Sequence, residues 1–255
     1  MSIEVKQIPC LGDNYGFLVH DTETGATASI DTPEVEPINN ALAEQGWTLT
    51  HILNTHHHFD HAGGNEELKA QWGCEIIGAA CDAERIPGID RRVVDGEVFE
   101  LGNTQVKVLE VPGHTVGHIA YYFADDRAAF VGDTLFALGC GRMFEGTAQQ
   151  MWGSLEKLMA LPDETAVYCA HEYTQANAAF AITVEPDNEA LRQRVEEIAR
   201  LREQGIPTVP TSIGLERQTN PFVRPQSTNL QQTIDRVGSD PVAIFAETRK
   251  RKDNF

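Results

Sequence analysis

The pattern of apolar and polar positions changes period several times along the chain. Residues 3–8 and 15–20 alternate or run apolar, which predicts two strands, and Leu11-Gly12-Asp13-Asn14 has the composition of a turn between them. A third strand at 27–31 continues the meander. Residues 33–46 read as a helix, with Pro33 near its start and Gly46 at its end. A buried strand at 49–53 follows and runs directly into a histidine cluster. Gly63-Gly64-Asn65 opens another helix, which reaches about Trp72.

Further strands are predicted at 74–78, 104–111, 119–124, 128–132 and 166–169, with a helix at 147–160 before the last. Strands interleaved with helices indicate an α/β protein, and so many short strands suit two sheets face to face. After Tyr173 the character changes. Residues 174–184 and 188–204 read as helices separated by Glu185-Pro186-Asp187, and 240–250 as a final one. Pro207, Pro210, Pro221 and Pro225 punctuate the stretch between. The expectation is a first domain over 1–173 and a small, mainly helical domain over 174–255.

Composition narrows the class. The chain has 255 residues, enough for a substantial core, with 41% hydrophobic and 23% charged residues as in soluble globular proteins. No apolar stretch approaches the roughly 20 residues that span a bilayer. The start, MSIEVKQIPC, lacks the apolar core of a signal peptide, so a cytoplasmic protein without a membrane partner is expected. The formal net charge of −18 repels polyanions and disfavours nucleic-acid partners. A small anionic substrate remains compatible if Arg and Lys cluster locally. The five cysteines are odd in number and form no C-x-x-C pair, which argues for reduced, mostly buried thiols.

The chemistry concentrates at strand ends. Asn54-Thr55-His56-His57-His58-Phe59-Asp60-His61 follows the strand at 49–53. Its imidazoles and carboxylate suit zinc, iron or manganese, and the alternating spacing puts His56 and His58 on one side. Asp60 and His61 can then turn toward a second ion. Three later strands end in further ligand types: His114 in Val111-Pro112-Gly113-His114-Thr115-Val116-Gly117-His118, Asp133 in Phe130-Val131-Gly132-Asp133-Thr134, and His171 in Cys169-Ala170-His171-Glu172-Tyr173. Each alone has a bland reading, as a loop hydrogen bond, a helix cap or a core histidine. Four strand ends offering ligand residues in one chain make joint coincidence a poor explanation.

These strings, in this order, resemble the metallo-β-lactamase superfamily. More narrowly, Leu11-Gly12-Asp13-Asn14-Tyr15, Gly139-Cys140-Gly141-Arg142, Phe144-Glu145-Gly146-Thr147, His171-Glu172-Tyr173-Thr174 and Asn220-Pro221-Phe222 resemble the glyoxalase II, or hydroxyacylglutathione hydrolase, family. The resemblance covers nearly the whole chain. It implies a four-layer αββα metallo-β-lactamase sandwich with a small helical C-terminal domain that helps bind glutathione. It implies two divalent metal ions, zinc foremost and iron or manganese as alternatives. His56, His58 and His114 would hold the first, Asp60, His61 and His171 the second, with Asp133 bridging. His57 and His118 match no ligand role and would face solvent or lie behind the ligands. Asp31 would hydrogen-bond a ligand histidine or cap its turn.

The implied reaction is hydrolysis of S-D-lactoylglutathione and related 2-hydroxyacyl thioesters to glutathione and the hydroxy acid. Two ions about 3.5–4 Å apart lower the pKa of a shared water, so hydroxide is available near neutrality. Asp60 and Asp133 are the expected catalytic carboxylates, and Asp60 would orient that hydroxide or accept a proton. Arg249-Lys250-Arg251-Lys252 is a dense basic stretch in an acidic chain, which by itself reads as a solvated tail. The resemblance raises Arg249 and Lys252 to substrate contacts, with Arg142 and Tyr173. Arg142 stands where many relatives have lysine, and Phe144 where they often have tyrosine, so one substrate hydrogen bond is expected to be missing. Rival readings are a single-iron glutathione persulfide dioxygenase, a lactonase or β-lactamase, and a non-catalytic metal-binding member of the fold. A monomer is expected.

Overall fold

The computed structural model describes residues 2–255. The chain divides into two compact units, one of residues 1–110 and 116–132, the other of residues 111–115 and 133–255.

The first unit opens with β1 (Ile3–Cys10), β2 (Asn14–Asp21) and β3 (Thr27–Ile30), followed by α1 (Val35–Gln45) and β4 (His51–Leu53). A short helical turn, α2 (Phe59–Ala62), precedes α3 (Asn65–Trp72), β5 (Glu75–Ala79) and β6 (Arg91–Val93). These strands form one sheet in the order β1-β2-β3-β4-β5-β6. The first three are antiparallel, and β3 to β6 run parallel. Parallel neighbours need crossover connections, and α1 and α3 supply two of them. Both end on a left-handed glycine, Gly46 at φ 69° and Gly73 at φ 68°, a conformation that a Cβ would strain.

The helices bury Ile38, Ala41, Leu42 and Leu68 against Leu18, Ile52 and Ile76 of that sheet. Each Leu or Ile side chain so removed from water contributes about 1.5–3 kcal/mol. The remaining strands are β7 (Val98–Leu101), β8 (Thr104–Glu110), β9 (Ile119–Phe123) and β10 (Ala128–Gly132), antiparallel and in the order β10-β9-β8-β7. They pack on the first sheet's other face. Phe17 meets Phe130 edge-on at 5.5 Å, and the Tyr121 hydroxyl donates to the Asn54 and Ile77 carbonyls. The sheets are therefore face to face, as the strand pattern predicts.

The second unit holds a two-stranded hairpin, β11 (Leu135–Phe136) and β12 (Gly139–Cys140), then α4 (Ala148–Met159) and β13 (Ala166–Cys169). Helices dominate from there: α5 (Thr174–Val184), α6 (Glu189–Glu203), the short β14 (Thr211–Ser212), α7 (Ile213–Thr219), α8 (Thr228–Thr233) and α9 (Pro241–Asp253). Side-chain caps start most helices of this unit: Thr147 with Gln150 as a capping box on α4, and Asn188, Ser212, Ser227 and Asp240 on α6, α7, α8 and α9. Leu138, Ala178, Ala181, Leu191 and Ile198 form one core cluster. Trp152, Phe222 and Phe245 form an aromatic one.

The predicted helices agree with α1, α3, α4, α5, α6 and α9 to within a few residues. The pattern does not anticipate α2, β6, β7, the β11–β12 hairpin, β14, α7 or α8. These are two to seven residues long, too short for a period to register. Among the described residues no helix is long and apolar enough to cross a membrane.

Candidate metal centre

In the first unit β4 ends at Leu53, and the next eight residues turn back into α2. Along this stretch Nε2 of His56 lies 2.9 Å from Nδ1 of His58. Two imidazoles cannot present lone pairs to each other at that distance without a proton or a cation between them. His56 and His61 approach to 4.1 Å between ring centres, and Nε2 of His61 is 3.5 Å from Oδ2 of Asp60. The ligand atoms of His56 and His58, of His56 and His61, and of Asp60 and His61 all lie within 4.8 Å of each other. His56 and His61 are fully buried, while Asp60 is half-buried.

Neighbouring groups hold these donors from behind. Asp31 sits at φ 58° at the end of β3, a left-handed conformation rare outside glycine. Its carboxylate accepts from the Thr55 amide at 2.7 Å, the Thr55 hydroxyl at 2.8 Å and Nδ1 of His61 at 2.8 Å. The His61 tautomer is thereby set, with Nε2 left to act as a ligand. Of its two expected roles, Asp31 takes the bond to a histidine, His61, that is expected to be a ligand. Asn14, at the start of β2, donates to Oδ2 of Asp60 at 3.1 Å and to its carbonyl at 3.2 Å. That role had no signal in periodicity. His118 is buried rather than solvent-facing, and its ring stacks on His56 at 4.6 Å.

In the second unit Asp133 lies between two histidines. Its Oδ2 is 3.4 Å from Nε2 of His114, and its Oδ1 is 3.4 Å from Nε2 of His171. All three side chains are buried. Nδ1 of His114 donates to the Arg142 carbonyl at 2.8 Å, again leaving Nε2 for ligation. Gly141 is required at the neck of the hairpin, because a Cβ there would lie 1.9 Å from the Asp133 carbonyl oxygen. Both donor sets consist of imidazole nitrogen and carboxylate oxygen, which fit divalent zinc, iron or manganese.

The residues expected at the substrate lie in the same unit. Tyr173 stacks on His171 at 4.6 Å with planes 6° apart, and Phe144 packs on His114 at 5.1 Å. Arg142 is exposed. Lys252 is half-buried and donates to the Ala176 carbonyl at 2.9 Å. Its pKa is lowered, first by burial and then by the positive charges of Arg249 and Arg142, so three cations share one region of a strongly acidic chain. Arg249 differs from a free substrate arm. It is 4% exposed, donates to the Cys140 carbonyl at 3.0 Å, pairs with Asp253 and lies over the Phe222 ring.

Sequence reasoning also passed over the anchor of the hairpin. Asn220 donates to the Phe136 and Gly139 carbonyls, and Glu216 accepts from the Leu138 amide. Glu216 and Asn220 stand four residues apart, about one helical turn, and although Asn220 belongs to the Asn220-Pro221-Phe222 string, neither residue is given this role by the sequence.

Two family models together cover the chain from residue 21 to its end. The Metallo-beta-lactamase superfamily model matches residues 21–171, and the Hydroxyacylglutathione hydrolase C-terminus model matches 172–255. The hydroxyacylglutathione hydrolase of Methylococcus capsulatus is 56% identical over 99% of both chains. That of Rhodospirillum rubrum is 56% identical over 100% of this chain and 99% of its own. Among solved structures, ETHE1 from Myxococcus xanthus superposes with a TM-score of 0.65 at 27% identity, covering 98% of each chain. The BLEG-1 B3 metallo-beta-lactamase reaches 0.66 at 20% identity over 86% of this chain and 99% of its own, a likeness of fold alone.

Proposed function

The chain belongs to the hydroxyacylglutathione hydrolases of the metallo-β-lactamase superfamily, and from that premise we propose that it hydrolyses S-D-lactoylglutathione and related 2-hydroxyacylglutathione thioesters to glutathione and the hydroxy acid. The intact set of metal-type donors at four strand ends carries the reading. A non-catalytic member of the fold would be expected to have lost some of them.

The proposed ligands are His56, His58 and His114 for one divalent ion and Asp60, His61 and His171 for another, with Asp133 shared. Zinc is the proposed ion in both positions. Ions bound there would supply Lewis-acid polarisation of the thioester carbonyl and a water of lowered pKa. The chain's own part is to place and hold. Asp60, fixed by Asn14, would orient the attacking water and accept its proton. The leaving group is a thiolate, which departs without a strong general acid.

Arg142 and Lys252 would meet the two carboxylates of glutathione, with Tyr173 beside the reacting end. Arg249 adds charge to this region while bracing the Cys140 carbonyl. Residues 1–173 are proposed as the catalytic portion and 174–255 as the glutathione-binding one. A monomeric cytoplasmic enzyme is proposed.

The test is to follow loss of the thioester from S-D-lactoylglutathione while measuring bound metal on the same sample. Hydrolysis with close to two metals per chain, abolished by a chelator, is the expected result. A folded, fully metallated sample without turnover would sink the reading. Oxidation of glutathione persulfide with a single iron would then be the next assay.

A further inference from the structure

His57 stands between two of the proposed ligands, yet its ring is committed elsewhere. Nδ1 of His57 donates to Oδ2 of Asp82 at 2.9 Å. Asp82 closes the 3-10 turn Ala80–Asp82, which follows β5, the parallel neighbour of the strand that delivers the histidines. It is 1% exposed, and both its oxygens are engaged, since Nε of Arg85 donates to Oδ1. The Arg85 amide returns to the Asp82 carbonyl at 2.9 Å, which fixes the turn.

The carboxylate is also covered. A Cβ on Gly117 would lie 2.4 Å from Cβ of Asp82 and 2.5 Å from its Cγ, so this close approach requires glycine. The next residue, His118, stacks on His56. Asp82 therefore touches the backbone beside His118 and the side chain that lies between His56 and His58. A buried carboxylate that orients the groups behind a metal site is commonly needed for full metal affinity.

We propose that Asp82, acting through His57, is a positioning residue for the metal-binding loop. It holds residues 56–58 so that His56 and His58 are arranged before an ion arrives. The inference rests on the metal reading above.

Two substitutions discriminate. Asp82→Asn keeps volume but has one oxygen for two donors, so its amide must face either His57 or Arg85. His57→Asn keeps a donor close to the position of Nδ1, whereas His57→Ala removes it. Zinc affinity of the metal-free full chain is measured by competition with a chromophoric chelator, alongside thermal unfolding without metal. Asp82→Asn and His57→Ala are expected to bind zinc about 10–100-fold more weakly, with His57→Asn near wild type. The double variant should be no weaker than the singles, and the metal-free melting temperatures should stay close together. Unchanged zinc affinity with a lowered melting temperature would make the pair a brace of the fold and overturn the proposal. Weakened binding in His57→Ala with wild-type binding in Asp82→Asn would remove Asp82 from it. A wild type that binds no zinc would instead bring down the metal reading itself.

Discussion

Asp31 and His61, thirty residues apart, share a buried hydrogen bond of 2.8 Å between Oδ2 and Nδ1. The carboxylate also accepts two bonds from Thr55, so one side chain ties the end of β3 to the histidine loop. Because the bond dictates the tautomer of a proposed ligand, its loss acts on metal binding first.

Asp31→Ala is expected to weaken metal affinity by about 10–100-fold, read by chelator competition. Equal affinities in variant and wild type would remove Asp31 from the support of the site.

Arg249 and Lys252 should separate in their effects although both belong to one basic stretch. Arg249→Ala uncovers the buried Cys140 carbonyl and is expected to cost about 1–3 kcal/mol of stability as well as raising KM. Lys252→Ala, at a half-buried position, should raise KM for the glutathione thioester and leave the melting temperature nearly unchanged. Thermal scans and initial rates on the two variants check this. A Lys252→Ala enzyme with wild-type KM would exclude that ammonium from the substrate.

Glu216 is fully buried and pairs with Arg194 at 2.6 Å while also holding the Leu138 amide. Glu216→Ala leaves a buried guanidinium without its counter-charge, at an expected cost of about 3–5 kcal/mol in denaturant unfolding. The double change with Arg194→Met should recover part of that loss. No recovery would mean that the charge pair is not the source of the cost.

Asp21 carries an acid-sensitive contribution. Burial alone would raise its pKa, but hydrogen bonds from Thr104, Thr24 and the Asn103 amide outweigh it and bring the value from 3.8 to about 2. The unfolded chain therefore binds a proton that the folded one refuses. The contribution is present above pH 3.8 and is lost as pH falls through about 2. In Asp21→Asn the stability difference from wild type should shrink across this window, as read from denaturant midpoints. A constant difference would show that Asp21 does not titrate with folding.

The proposed ligands were legible because each follows a strand with its own signal: the runs at 49–53, 104–111, 128–132 and 166–169 lead into His56, His114, Asp133 and His171. The groups behind them left little trace. Asp82 is one aspartate among many acidic residues, and Gly117, distant in the chain, closes over it. Glu216 lies in a seven-residue helix and Asn220 just past its end, in a proline-punctuated stretch where no apolar period can be read.

The sequence by itself determined the major elements, the donor residues and the family. Local spacing sets strand and helix periods, and metal chemistry restricts which side chains can serve. Only the tertiary structure decided that Arg249 is an internal brace, that His118 is buried, and that Asp31, Asp82 and Asn14 hydrogen-bond His61, His57 and Asp60. Those roles depend on which distant backbone and side-chain groups approach a polar atom once it is buried. Desolvation then makes each such pairing obligatory, whatever the separation along the chain.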